Sequence, residues 1–272
     1  MKQKAVITSS SNAQVKNLNL LQKKAKARKE QGVFVVEGTK MFEEARNAGL
    51  LVKAYASESF YQSKISDNAN YFLKLDYEVL ADNIFKDIAD TKTPQGIMGV
   101  VRQTEYSLED ILLYSKPLLL LLEDIRDPGN LGTILRSAEG AGVTGVILNR
   151  SCVDLYNPKV IRSTMGSIYR VPFYQAENFL AVLEEIKRRG ITIFAAHLMG
   201  RVYDTEGSFE QSCAFLIGNE ANGLSEEVSQ MADIRIKIPM EGEVESLNAA
   251  VAAAILMYEA ARQRRNSNNE LD

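Results

Sequence analysis

Apolar and polar positions fall into two regimes along the chain. In the first, short strands trade places with amphipathic helices. The stretch SSSNAQVKNLNLLQKKAKARKEQG opens with helix-capping residues, sets Val15, Leu18 and Leu21 on one face, and stops at Gly32. VFVVEG follows as a strand, TKMFEEARNAG as an amphipathic helix closed by Gly49, and VKAYAS as another strand. The alternation continues through YEVLADNIFKDIADTKTPQGIMGVV, so residues 1–103 predict a small α/β or α+β domain. TEYSLEDILLYSK, residues 104–116, has the character of a linker with room for a short helix.

From residue 117 the pattern is cleaner. LLLLLE is a continuous apolar strand, Asn130 to Gly140 is helical, and VTGVIL is a second strand. That is a βαβ unit, which implies a parallel sheet covered on both faces. AVLEEIKRRG and ITIFAAHL add a helix and a strand, CAFLIG another strand, and IRIKIP a half-buried one. SLNAAVAAAILMYEAARQRR is a long helix, apolar on nearly all sides, which suits core packing or a subunit interface. Residues 117–264 therefore predict a doubly wound α/β domain, whose ligands bind at the carboxyl ends of its strands. The polar end at 265–272 is expected to be disordered.

Composition narrows the classes. A chain of 272 residues, 46% hydrophobic and 25% charged, is that of a soluble globular protein. Its first residues lack an apolar core of secretory type, and no apolar run approaches the ~20 residues of a membrane helix, so a cytoplasmic protein with no membrane partner is expected. Cys152 and Cys213 have no Cys-x-x-Cys spacing, which argues for two buried structural thiols rather than a disulfide framework or a thiolate zinc site. His197 is the single histidine, so a histidine-rich metal site is excluded and a Ser-His-Asp or Cys-His system has one candidate base. No metal is expected.

The net charge of -3 hides an asymmetry. Residues 1–40 hold nine Lys and Arg against Glu30 and Glu37, a local +7 that leaves -10 elsewhere. Lys23, Lys24 and Arg28 lie in this patch, either as an ordinary exposed helix end or as a surface for nucleic-acid phosphates.

Three strand ends carry polar groups. EDIRDPGNLGTILRSAEGAG looks at first like a phosphate loop, yet it has neither the Gly-Lys-Ser/Thr of a nucleoside-triphosphate loop nor the G-x-G-x-x-G of a dinucleotide fold. Asn130 suits a helix N-cap, and Arg136, further into the helix, either projects toward a site or is solvated. FLIGNEANGLSEEV places Gly218, Asn219 and Glu220 directly after an apolar run; Gly218 would let a ligand approach the backbone. IKIPMEGEVESLNAAVAAA has Ser246 and Asn248 at the start of the last helix, with Ser246 a possible N-cap.

These three stretches, in order and spacing, resemble the motifs of the SpoU/TrmH RNA ribose methyltransferases of the SPOUT superfamily. The likeness extends to TPQGIMGVV, to NPKVIRSTMGSIYRVPF, and to the N-terminal stretch, which is similar to the family's ribosomal-protein-like substrate-binding domain. Ala249 and Ala250 stand where relatives often carry a valine and a small hydroxyl residue. The resemblance implies a deep trefoil knot, S-adenosylmethionine as cofactor, a ribose 2'-hydroxyl of structured RNA as acceptor, and a homodimer formed through the catalytic domain. It favours ribosomal over transfer RNA. Gly218, Ile238 and Leu247 would line the cofactor site. Asn130, Arg136, Glu220, Ser246 and Asn248 would form the reaction site, and Lys23, Lys24, Arg28 and Arg162 would meet RNA. Methyl transfer from a sulfonium is a direct displacement, so poverty in His and Cys is no handicap. Ile255, Met257 and Tyr258 are candidates for the dimer surface or for core packing. The competing readings are a tRNA 2'-O-methyltransferase, a non-catalytic RNA-binding protein of the same fold, and a dinucleotide enzyme, the last disfavoured by the missing glycine fingerprint.

Overall fold

The computed structural model describes residues 4–203 and 208–269. The chain divides into two compact units. The first holds residues 1–104 and 156–169, and the second residues 105–155 and 170–272. Residues 156–169, which the hydrophobic pattern assigns to the second domain, thus return to the first.

The first unit contains β1 (Val6–Ile7), β2 (Val33–Glu37), β3 (Leu51–Ser57), β4 (Tyr77–Leu80) and β5 (Ile97–Arg102) in the order β1-β4-β3-β5-β2. β5 runs antiparallel to both β2 and β3, while β1, β4 and β3 are mutually parallel. One face packs Val15, Leu18 and Leu21 against Val35, Tyr55, Leu80 and Phe85, and the other packs Phe42, Tyr61, Phe72 and Tyr77. Both faces are therefore covered. The predicted single N-terminal helix is two, Ala13–Lys23 and Ala25–Gln31, because Lys24 takes an extended conformation (φ -125°, ψ 111°). Gly32 ends the second with φ 63°, in the left-handed region where a side chain is costly. The returning segment forms the helix Pro158–Thr164, and the Tyr156 ring sits 4.8 Å from that of Phe34 on β2.

The second unit contains β6 (Leu118–Leu122), β7 (Gly145–Leu148), β8 (Phe173–Gln175), β9 (Thr192–Val202), β10 (Cys213–Ile217) and β11 (Ile234–Lys237). All pairings are parallel, in the order β11-β9-β10-β6-β7-β8. This is the expected doubly wound α/β sheet, with the short strand β8 added at one edge. Every residue of β6 and β10 is buried, as parallel strands covered on both faces require. Leu119 and Leu121 face a cluster with Leu183, Ile186, Ile193 and Leu216; strand alternation turns Leu118, Leu120 and Leu122 to the opposite layer. The helices Pro128–Ala141 and Ala249–Asn269 pack on each other.

The last helix runs through Asn269, so residues 265–269 are helical instead of disordered, and 270–272 lie outside the described residues. Arg264 explains part of the extension. Its guanidinium donates to the carbonyls of Phe209, Lys116, Pro117 and Gln211 at 2.6–3.0 Å, which holds the polar end of the helix against the unit. Met257 is fully buried in the core, Ile255 is half-buried and Tyr258 is exposed. Cys152 and Cys213 are buried and free, and burial pushes each thiol up to about 11. Among the described residues no helix is long and apolar enough to cross a membrane, and no group of His, Cys, Asp and Glu is placed to hold a metal ion.

Candidate active site

The carboxyl ends of β6 and β10 are neighbours in the sheet, and their loops interlock. The helix after β6 begins earlier than its apolar period suggests. Asp127 is the N-cap, its carboxylate accepting from the Asn130 amide at 2.8 Å, and Pro128 occupies the first turn, where its missing N–H costs nothing. Asn130 is therefore not the cap but a residue of the first turn with its side chain available. Nδ2 of Asn130 donates to Glu220 Oε1 at 2.9 Å, and Oδ1 of Asn130 accepts from Asn248 Nδ2 at 2.8 Å. One hydrogen-bonded chain, Asn248–Asn130–Glu220, thus joins all three polar strand ends.

Each end of that chain is held by its own loop. The Asn248 Oδ1 accepts from the amides of Ala250 and Val251 at 2.9 and 3.3 Å, so Asn248, and not Ser246, caps the last helix. Glu220 accepts from the amides of Asp127 and Arg126 at 3.4 and 3.5 Å. Partial burial would raise its pKa, but the Asn130 amide and these backbone N–H groups outweigh burial and hold the carboxyl below its ordinary value of 4.5. Two protein carboxylates, Asp127 and Glu220, therefore already occupy the positive end of the 128–141 helix. That is the physical reason this turn is not a phosphate loop.

Asn219 answers why a polar pair follows β10. Its Nδ2 donates to the Asp124 carbonyl and carboxylate at 2.9 and 3.2 Å, and its Oδ1 accepts from the amides of Ala221 and Asn222. Below it Ser225, N-cap of the helix Glu226–Gln230, donates its amide and hydroxyl to buried Glu123 at 2.8 and 2.7 Å. Gly218 is also required by its own loop. A Cβ there would lie 2.3 Å from the Gly223 carbonyl carbon and from Leu224 N, so the glycine permits a close approach of the loop's own backbone.

Arg136 lies six residues beyond Asn130 on the same helix, about 9 Å further along the axis. It is exposed and makes no hydrogen bond or ion pair with any described residue. Ser246 is exposed in the loop before the last helix, two residues from Asn248, and Leu247 beside it is half-buried. Ile238, directly after β11, and Gly218, directly after β10, are also half-buried. The residues that sequence reasoning missed are Asp124 and Asn149, which with Asn219 lock the loops; the Asp-Pro pair at 127–128 was a readable N-cap signal. His197 accepts from the Met199 amide through Nδ1 at 3.1 Å, which gives it a local turn-forming contact.

In the first unit Lys23 and Lys24 are exposed at the break between the two N-terminal helices. Arg28 is a correction. It is 4% exposed, and its Nη1 donates to the carbonyls of Leu21 and Gln22 at 2.6 and 3.0 Å. The break at Lys24 folds the second helix back, so Arg28 satisfies the open last-turn carbonyls of the first and does not face phosphates. Arg162 is ion-paired with Asp90 and only partly exposed.

Residues 117–258 match the SpoU rRNA Methylase family, and residues 12–99 match the MRM3-like substrate binding domain. The chain belongs to the SpoU rRNA methylase family. It is 31% identical to the 23S rRNA (guanosine(2553)-2'-O)-methyltransferase RlmP of Bacillus subtilis, over 93% of this chain and 97% of that one. It is 30% identical to the human mitochondrial rRNA methyltransferase 3, over 90% of this chain and 71% of that one. Among solved structures of SpoU-type enzymes, the AdoMet-bound rRNA methyltransferase of Sinorhizobium meliloti superposes with a TM-score of 0.81 at 29% identity, covering 95% of this chain and 97% of that one. Within this SpoU framework the three interlocked strand ends fall inside the family match, and the basic helix pair falls inside the substrate-binding match.

Proposed function

We propose that the protein transfers a methyl group from S-adenosylmethionine to a ribose 2'-hydroxyl of ribosomal RNA. The observation that carries this reading is the Asn248–Asn130–Glu220 chain, which gathers three strand ends around one edge of the sheet while leaving Arg136 unengaged. Gly218, Ile238 and Leu247 suit the cofactor: all are half-buried, none is ionisable, and they offer apolar surface and backbone groups to a neutral adenosine. When bound, S-adenosylmethionine supplies an electrophilic methyl on a sulfonium.

The protein's own residues position the acceptor. Asn130 and Asn248 fix the loops that flank it, and Ser246 is free to hydrogen-bond the nucleotide. Glu220, its carboxyl held below the ordinary value by the Asn130 side chain and the Asp127 and Arg126 amides, orders these loops and is a weak base. The hydroxyl must shed its proton, which passes to surrounding water, as its oxygen attacks. Arginine side chains stay protonated in proteins, so Arg136 serves by orienting that hydroxyl and stabilising the developing oxyanion. Lys23 and Lys24 supply phosphate contacts, with Arg162 a further candidate.

The preference for ribosomal RNA rests on relatives whose names specify it. A trefoil knot, a cytoplasmic location, and a homodimer using exposed Tyr258 and half-buried Ile255 complete the reading. The test is incubation of the purified protein with radiolabelled S-adenosylmethionine and, separately, total ribosomal and transfer RNA, followed by digestion and mapping. Label on one ribose of ribosomal RNA is the expected result. Label on transfer RNA alone overturns the substrate class, and absence of cofactor binding overturns the enzyme.

A further inference from the structure

Arg126 lies in the loop between β6 and the 128–141 helix, at the strand end that carries Asn130 and meets Glu220. Its backbone amide donates to Glu220 Oε2 at 3.5 Å, and its guanidinium Nε donates to Asp124 Oδ1 at 2.8 Å. Asp124 is itself immobilised. Its amide donates to Asn149 Oδ1 at 3.0 Å, its carbonyl and Oδ2 accept from Asn219 at 2.9 and 3.2 Å, and its φ of 55° marks a backbone held in the left-handed region. The anchor of the arginine is thus fixed from two directions.

The rest of the side chain is open. Arg126 is 72% exposed, and its Nη1 and Nη2 make no hydrogen bond with any described residue. An unanchored surface arginine samples many rotamers, whereas one tied through Nε has its plane set and presents two Nη groups as a ready fork. That fork matches two oxygens of one phosphate. Charge points the same way. Asp124, Asp127 and Glu220 line this strand end, so a polyanion approaching the reaction site needs a cation at its rim.

We propose that Arg126 is an RNA-contacting residue that grips a backbone phosphate beside the target ribose, with Asp124 as its positioning residue. This rests on the ribose-methyltransferase reading above. The contact places the nucleotide for reaction without touching the reacting atoms.

The test compares wild type with Arg126→Ala and Arg126→Lys. Binding of total ribosomal RNA is measured across a KCl series, S-adenosylmethionine affinity by calorimetry, and folding by thermal melting. Arg126→Ala is expected to weaken RNA binding about tenfold at low salt, the scale of one charge-assisted hydrogen-bonded contact. It should lower the slope of log K against log salt by about 1 and leave cofactor affinity and Tm unchanged. Arg126→Lys should restore the slope but only part of the affinity, since a point charge remains and the fork is lost. Unchanged RNA affinity and slope in Arg126→Ala overturn the proposal, as does loss of cofactor affinity with the slope intact, which would give the fork to the cofactor's carboxylate. Failure of the parent reading shows differently: wild type itself would bind no cofactor or methylate no RNA.

Discussion

Gly218→Ala tests the loop that holds Glu220. The added Cβ would fall 2.3 Å from the Gly223 carbonyl carbon and from Leu224 N, and 2.5 Å from Gly223 O. Non-bonded carbons settle at about 3.5–4.0 Å, so one backbone must withdraw by roughly 1 Å or more. The turn has little slack, because Asn219 and Gly223 exchange two backbone hydrogen bonds of 2.9 Å. A displacement of about 1 Å takes the Glu220–Asn130 contact out of hydrogen-bond range. Overpacking of this kind costs about 1–3 kcal/mol. The broken contact adds about 1 kcal/mol after discounting for its exposure. A total of about 2–4 kcal/mol lowers Tm by roughly 4–16 °C for a chain of this size. Misplacing a reaction site by ~1 Å can cost about 100-fold in rate, so turnover at saturating cofactor should fall on that order. Calorimetry and the radiolabel assay measure the two effects. An unchanged Tm together with wild-type turnover would refute the reasoning, since the loop would then yield without moving Glu220.

Other substitutions separate chemistry from support. Arg136→Lys should lower turnover roughly 100-fold or more, the scale of one lost oxyanion donor, with cofactor affinity unchanged; near-normal transfer would remove Arg136 from the mechanism. Replacing Lys23 and Lys24 by Ala should lower the salt slope of RNA binding by about 1.4–1.8, whereas Arg28→Ala should leave the slope alone and cost about 1–3 kcal/mol of stability by stranding two carbonyls. An equal slope change in both variants would return Arg28 to the RNA surface. Glu220 has a lowered folded pKa, so the stability it contributes is complete above the ordinary 4.5 and is lost as pH falls through the depressed folded value. Melting curves against pH should therefore show an acid limb that shrinks in Glu220→Gln, and an identical limb in both proteins counts against the carboxylate's role.

The second unit was legible because its signals are local and redundant. Leu118–Leu122 and Cys213–Ile217 are unbroken apolar runs, and the 128–141 helix shows a clean helical period between a Pro and a Gly. The candidate site residues could be named because their chemistry lies next to strand ends. Their partners could not. Asn219 pins Asp124 across 95 positions of sequence, and Asn248 reaches Asn130 across 118, pairings that only the sheet order creates. Arg28 was misread for the converse reason: charge composition cannot reveal that an extended Lys24 folds the helix back and spends that charge on two carbonyls. The two-residue strand β1 and the three-residue β8 are too short to show a period.

The return of residues 156–169 to the first unit constrains the order in which the protein can assemble during translation. The N-terminal unit cannot close when its first 104 residues leave the ribosome, because the rings of Tyr156 and Tyr169 that cover Phe34 are not yet made. At ~5–20 residues per second, residues 105–169 take roughly 3–13 s to synthesise. During that interval β6 and β7 emerge while the first unit still lacks its last piece. Maturation of the two units is thereby interleaved, and a fragment ending at Thr104 would leave an apolar surface uncovered.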